Sequence, residues 1–139
     1  VAEMTEKVIQ FFVPMKKIPT VTHQEKQVAV VKDKPHFYEP AELRNVRQLY
    51  MDMFGQYVPD QKMPGKVRMT IKYCFPLQGK HSDGEYKDTK PDLDNMTKLV
   101  QDCLTKLEFW KDDRYVVSLI AEKFWAKMPG IFIRIEEVR

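Results

Sequence analysis

The sequence has little of what usually announces a specialised class of protein. Only two of its 139 residues are cysteine, Cys74 and Cys103, far apart and in no metal-ligand spacing. That argues against a disulfide scaffold or a zinc cluster and favours reduced, buried thiols in a cytoplasmic protein. His23, His36 and His81 are scattered and form no ligand spacing. No apolar run approaches the ~18 residues that a membrane span needs. The stretch "VIQFFVPM" near the start is too short for one, and no small-residue cleavage site follows it, so no signal peptide and no membrane partner are expected. Neither an internal repeat nor a domain boundary is evident, and residues 1–139 are read as a single domain.

What is present describes a globular chain. Hydrophobic residues make up 43% and charged residues 31%, enough of both to bury a core and stay in solution. Net charge is only +3, but its distribution is uneven. With Asp92, Asp94, Asp112 and Asp113 set aside, 23 basic residues face 16 acidic ones. A basic body around a small acidic focus suits a protein that holds a polyanion and presents a metal to it, although an ordinary mixed surface has the same totals.

The periodicities give an element order. Residues 8–13 read as a buried strand and 28–31 as a second short one. A helix is expected over 40–54, with Leu43, Val46, Tyr50, Met53 and Phe54 on one face, Pro40 at its start and Gly55 at its end. Residues 66–75 alternate strictly. Val67, Met69, Ile71, Tyr73 and Phe75 point one way, and Lys66, Arg68, Thr70, Lys72 and Cys74 the other. A long polar link, 77–90, leads to a second helix over 95–107, striped by Met96, Leu99, Val100, Cys103, Leu104 and Leu107. Two strands, 115–125 and 131–138, follow around a turn at Pro129 and Gly130. The expected class is α+β, a single domain with a mixed β-sheet and two main helices in the order β-β-α-β-α-β-β.

The stretch "KPDLDNMTKLVQD" carries the chemistry. Pro91 holds Lys90 extended. If extension continues through Leu93, Asp92 and Asp94 point to one side about 7 Å apart and can converge on a divalent ion. A helix beginning at Pro91 would instead throw them to nearly opposite faces, so this reading needs the helix to start near Asp94 or Asn95. Taken alone, the pair is better explained by Asp94 as a helix cap with Asp92 beside the dipole. The capping-box partner is missing, however, since Thr97 stands where Glu or Gln would.

A second acidic pair, Asp112 and Asp113 in "FWKDDRYVV", can complete an oxygen-rich site of the kind that magnesium or manganese takes. The rival reading is a polar turn. Three acids from two segments around a phosphodiester are a minimum for metal-assisted hydrolysis. Lys98, one turn beyond Asp94, either joins an i, i+4 ladder with Asp102 or touches the scissile phosphate. Asp102 is read as structural.

"KPDLDNMTKLVQDCLTKLEFWKDDRYVVSLIAEK", residues 90–123, closely resembles the core signature of the RusA family of Holliday junction resolvases: D-x-D-N at a helix start, a lysine four residues on, then an aromatic, D-D and a V-V strand. The resemblance implies metal-binding acids at Asp92, Asp94 and Asp113 and a catalytic lysine at Lys98. Asp112 and Asn95 would stand behind them. Some members carry an arginine before the first Asp, where this chain has Pro91 preceded by Lys90. It also implies Mg2+, with Mn2+ as the alternative, branched DNA as substrate, a homodimer that cuts two opposed strands, and 5′-phosphate and 3′-hydroxyl products, in recombination and repair.

Phosphate contacts are expected from Lys16, Lys17, Lys26, Arg68, Lys72, Lys80, Lys87 and Lys90. Phe109 and Trp110 are read as core rather than as a base-stacking platform. Three alternatives stay open: a non-catalytic module that binds branched DNA, a nuclease preferring other branched forms such as flaps, and a globular protein whose acids only cap a helix.

Overall fold

The strict alternation of residues 66–75 becomes an interior strand of the sheet. In the computed structural model, which describes residues 7–21, 27–31, 34–38 and 40–139, β1 is Val8–Pro14, β2 Gln27–Val31, β3 Lys34–Tyr38, β4 Val67–Pro76, β5 Val116–Ala126 and β6 Gly130–Glu137, with helices α1 at Ala41–Gly55 and α2 at Leu93–Lys106. Every odd residue of β4 from Val67 to Phe75 is buried and every even one is half-exposed. His23 and Lys26 lie outside the described residues.

The main sheet has the order β1-β6-β4-β5. β1 and β4 both run antiparallel to β6, whereas β4 and β5 are parallel. Parallel neighbours need a crossover, and α2 supplies it. The expected α+β class with a mixed sheet and two main helices is what forms. Two details differ. β3 was not anticipated, because "KPHFY" combines a proline and a histidine with few apolar residues. β2 pairs with β3 as a separate antiparallel ribbon, Gln27 opposite Tyr38, and does not join the main sheet.

The helices bury the faces that their 3.6-residue period defines. Leu43, Tyr50 and Phe54 of α1 and Met96, Leu99, Val100, Cys103 and Leu104 of α2 share one core with Val67, Met69, Ile71 and Tyr73 of β4 and Ile131, Ile133 and Ile135 of β6. Phe109 and Trp110 are fully buried, as expected of core aromatics. Cys103 is buried and Cys74 half-buried, and both are free thiols. Thr97 is the polar residue recorded in this core, and its hydroxyl is matched by the Tyr73 hydroxyl at 3.1 Å and the Leu93 carbonyl at 2.8 Å. No described helix is long and apolar enough to cross a membrane.

α2 ends where Glu108 takes a left-handed backbone, φ 66°, while the Phe109 N–H closes on the Leu104 carbonyl at 3.1 Å. Side chains with a Cβ are disfavoured there. Glu108→Gly is therefore expected to stabilise the protein by about 1 kcal/mol in urea denaturation. Gly130 has a positive φ, 158°, and is constrained by contact as well: a Cβ there would clash with the Val13 carbonyl oxygen and the Phe12 ring. Gly130→Ala should force β1 away from β6 and cost roughly 2–3 kcal/mol by the same measurement.

Candidate active site

The first acid of the motif is the residue on which α2 begins. Asp92 is extended, φ −66° and ψ 132°, and its carbonyl accepts the Met96 N–H at 3.2 Å. The helix thus starts at Leu93, slightly earlier than the extended-pair reading required, and Asp94 lies in its first turn. The cause is local: Asp92 and Leu93 both offer carbonyls to the helix, the latter to the Thr97 hydroxyl. Asp92, not Asp94, holds the cap position, yet its carboxylate makes no capping hydrogen bond. Asp92 and Asp94 are both exposed, and neither carboxylate is recorded in a hydrogen bond or ion pair among the described residues. Their carboxylates are not spent on the helix. Asn95 is half-buried beside them.

The approach to this pair is held from β5. Lys123 Nζ donates to the Thr89 and Pro91 carbonyls, each at 2.7 Å. Lys87 Nζ donates to the Lys90 carbonyl at 2.6 Å and to the Thr89 hydroxyl. The 77–90 link is also stitched to the outer edge of β5: Gly84 N–H to the Trp125 carbonyl, Trp125 N–H to the Glu85 carbonyl and Lys87 N–H to the Lys123 carbonyl. His81 stacks on Trp125 and bonds Glu85. Sequence reasoning missed Lys123 because its partners lie 32 and 34 positions away and nothing in the local pattern marks it.

Farther along α2, Asp94, Lys98 and Asp102 form one stripe at four-residue steps. Lys98 Nζ stands 3.1 Å from Asp102 Oδ1, which is the structural pairing expected, and 3.6 Å from Asp113 Oδ2. The Asp102 hydrogen bond, opposed by partial burial and helped by the charges of Asp102 and Asp113, raises the Lys98 pKa above its ordinary value. The shift favours the ammonium form of Lys98. Its side chain is 55% exposed. A cleft of about 550 Å³ opens beside it, lined by Asp94, Lys98 and Gln101 of α2 and by Leu119 and Ala121 of β5.

The second acidic pair divides its work. A 3₁₀ turn, Asp113–Tyr115, leads into β5, and Asp112 caps it by accepting the Arg114 N–H at 3.0 Å. Asp113 faces the other way, back to α2. Its Oδ1 accepts the Thr105 hydroxyl and its Oδ2 faces Lys98. The Thr105 hydroxyl also takes the Trp110 indole N–H at 2.7 Å. Thr105 and the indole N–H were not anticipated, because Trp110 looked complete as a core ring.

These side chains contain the oxygen-only donor set that magnesium accepts. Among the described residues, no three histidine, cysteine, aspartate or glutamate side chains gather as one metal-binding group. A magnesium ion needs only one or two carboxylates, with water and phosphate completing its shell, so the donor chemistry fits.

Residues 14–136 match the family described as endodeoxyribonuclease RusA. The chain belongs to the RusA family. It is 29% identical over 136 residues to a crossover junction endodeoxyribonuclease rusA of Lactococcus phage r1t, covering 93% of this chain and 98% of that one. It is 32% identical over 116 residues to an uncharacterized Bacillus subtilis protein, YqaN, covering 76% of this chain and 81% of the relative.

The remaining RusA-type candidates are dispersed. Lys16, Lys17, Lys80 and Lys90 are exposed. Arg68 is engaged by the Ser118 hydroxyl at 2.9 Å and Glu136 at 3.5 Å, and Lys72 lies over the Phe132 ring. Lys87 lies over Phe75 and Trp125, and burial together with nearby Lys123 lowers its pKa. It serves the scaffold more directly than it serves a phosphate.

The split between the paired acids can be tested by stability alone. Asp112→Ala should cost about 1 kcal/mol in urea denaturation, with most of it restored in Asp112→Asn, as for loss of a capping oxygen.

Proposed function

We propose that the protein is a divalent-metal-dependent endodeoxyribonuclease that resolves four-way DNA junctions in recombination and repair. The observation that carries this reading is the return of Asp113 to the α2 face that bears Lys98, one turn from Asp94. Membership of the RusA family and the likeness to a phage crossover junction endodeoxyribonuclease support the substrate class.

Asp92, Asp94 and Asp113 are the acids that would offer oxygens to Mg2+, or Mn2+ in its place, although among the described residues the three do not gather as one group. When bound, the cation would supply neutralisation of the scissile phosphate and acidification of an attacking water. The chain's own residues do the rest. Asp92 and Asp94 bring uncommitted carboxylates to the mouth of α2. Lys98, open to solvent, would offer its ammonium to a phosphate oxygen while Asp102 keeps it on the acidic stripe. Asn95 would stand behind the two acids, and Asp112 holds the 3₁₀ turn from which Asp113 projects.

Exposed Lys16, Lys17, Lys80 and Lys90 would track the DNA backbone, which makes binding salt-dependent. Lys90 stands one residue farther from the first Asp than the arginine of some family members. Two opposed strands of a junction must be cut, so the working form is a homodimer.

Labelled four-way junctions, flaps and linear duplex should be incubated with the protein and Mg2+. Four-way junctions should be cut in preference, and Asp92→Asn and Asp94→Asn should each lose at least ~100-fold in rate while still binding DNA. Full metal-dependent activity in both variants would remove these acids from the site. Salt-dependent binding without cleavage under any divalent ion would identify a branched-DNA-binding module instead.

A further inference from the structure

We propose that Trp110 and Thr105 form a positioning relay that leaves Asp113 one oxygen, Oδ2, to offer to the cation. This inference rests on the nuclease reading of the site and adds two residues that touch neither metal nor DNA.

The argument is a count of protons and lone pairs. An indole N–H can only donate, and a hydroxyl has one proton with two acceptor positions. Trp110 is fully buried, and its Nε1 donates to Thr105 Oγ1 at 2.7 Å. That contact fills one acceptor position and turns the hydroxyl proton outward. Two acceptors lie within its reach, the Gln101 carbonyl at 3.0 Å and Asp113 Oδ1. A hydrogen bond to an ionised carboxylate is about twice as strong as one to a neutral carbonyl, so the proton belongs to Asp113.

The consequence is directional. Asp113 sits in a three-residue turn and is 37% exposed, so without a tether its carboxylate could rotate. Thr105 fixes Oδ1 from a helix, and the helix and the indole are both fixed by the core. Oδ2 is left facing Lys98 at 3.6 Å. Carboxylate ligands held in this way by a hydrogen-bond partner are better oriented for a cation than free ones.

The test compares Thr105→Val, which keeps the shape and removes the hydroxyl, with Thr105→Ser, which keeps the hydroxyl. Mn2+ binding is measured by isothermal titration calorimetry on the full chain, below the unfolding transition of each variant. Junction cleavage is followed as a function of Mg2+. Thr105→Val should weaken Mn2+ binding and raise the Mg2+ needed for half-maximal cleavage by about 10- to 100-fold, while DNA affinity and the Ser variant stay within about threefold of wild type. If the Val variant does not fold, Trp110→Phe, which removes the N–H and keeps an aromatic ring, should show the same direction of change. A folded Val variant with wild-type metal affinity overturns the relay and leaves the nuclease reading intact. Equal losses in the Val and Ser variants overturn it too. A wild-type protein that neither binds Mn2+ nor cuts junctions overturns both, and is told apart because the unmodified chain itself fails.

Discussion

Two strands that lie side by side and run the same way cannot be joined by a tight turn. β4 and β5 are such a pair, and their connection must leave the sheet at Pro76, cross its face and return at Val116. α2 is the part of that connection that packs, with Met96, Leu99, Val100, Cys103 and Leu104 in the core. Once this stripe is buried, the rotation of the helix is set. Asp94 and Lys98 then fall on an edge that stays in water, with the half-buried Asp102 one turn farther on. The acids after the helix come back beside it because β5 must start next to β4. The exposed stripe of α2 and its meeting with Asp113 at Lys98 are thus by-products of burying an apolar face.

Charge compensation shapes what that region can do. Two acids at the start of α2 are left without partners among the described residues, while Asp102 and Asp113 share one ammonium. Carboxylates this close would repel one another without Lys98, and its raised pKa reflects that. The arrangement keeps the acids near the surface. This is where an oxygen-seeking cation and a phosphate can reach them, and where water can complete the shell. Lys123 contributes differently. By taking the carbonyls of Thr89 and Pro91, it ties the backbone ahead of Asp92 to the same strand that follows Asp113.

Much of this was readable from local pattern. The period of two in β4 and most of the 3.6-residue stripe in α2 are borne out, because each depends on backbone geometry repeated along the chain; Leu107 is only half-buried beyond the helix end, and the buried Thr97 was not part of the stripe. The pairing of Lys98 with Asp102 follows from one helical turn and was equally legible. The start of α2 was misplaced by about two residues, since the Asp92 and Leu93 carbonyls are claimed by groups one turn ahead and no residue type announces that. β3 was missed because its composition argues against a strand, and the ribbon it forms with β2 depends on backbone pairing that side chains do not signal. For the same reason the 77–90 link looked unstructured, although much of it is hydrogen-bonded to β5.

Residue order alone determined the secondary elements, the faces they bury and the identity of the acidic residues, because these rest on short-range periodicity and on side-chain chemistry. The fold decided the rest: the strand order β1-β6-β4-β5, the hold of Lys123 on the approach to Asp92, and the different fates of Asp112 and Asp113. Two neighbouring aspartates are chemically identical in a sequence. One accepts a hydrogen bond from its own turn and the other meets Thr105 and Lys98, and only the three-dimensional return of the chain to α2 separates them.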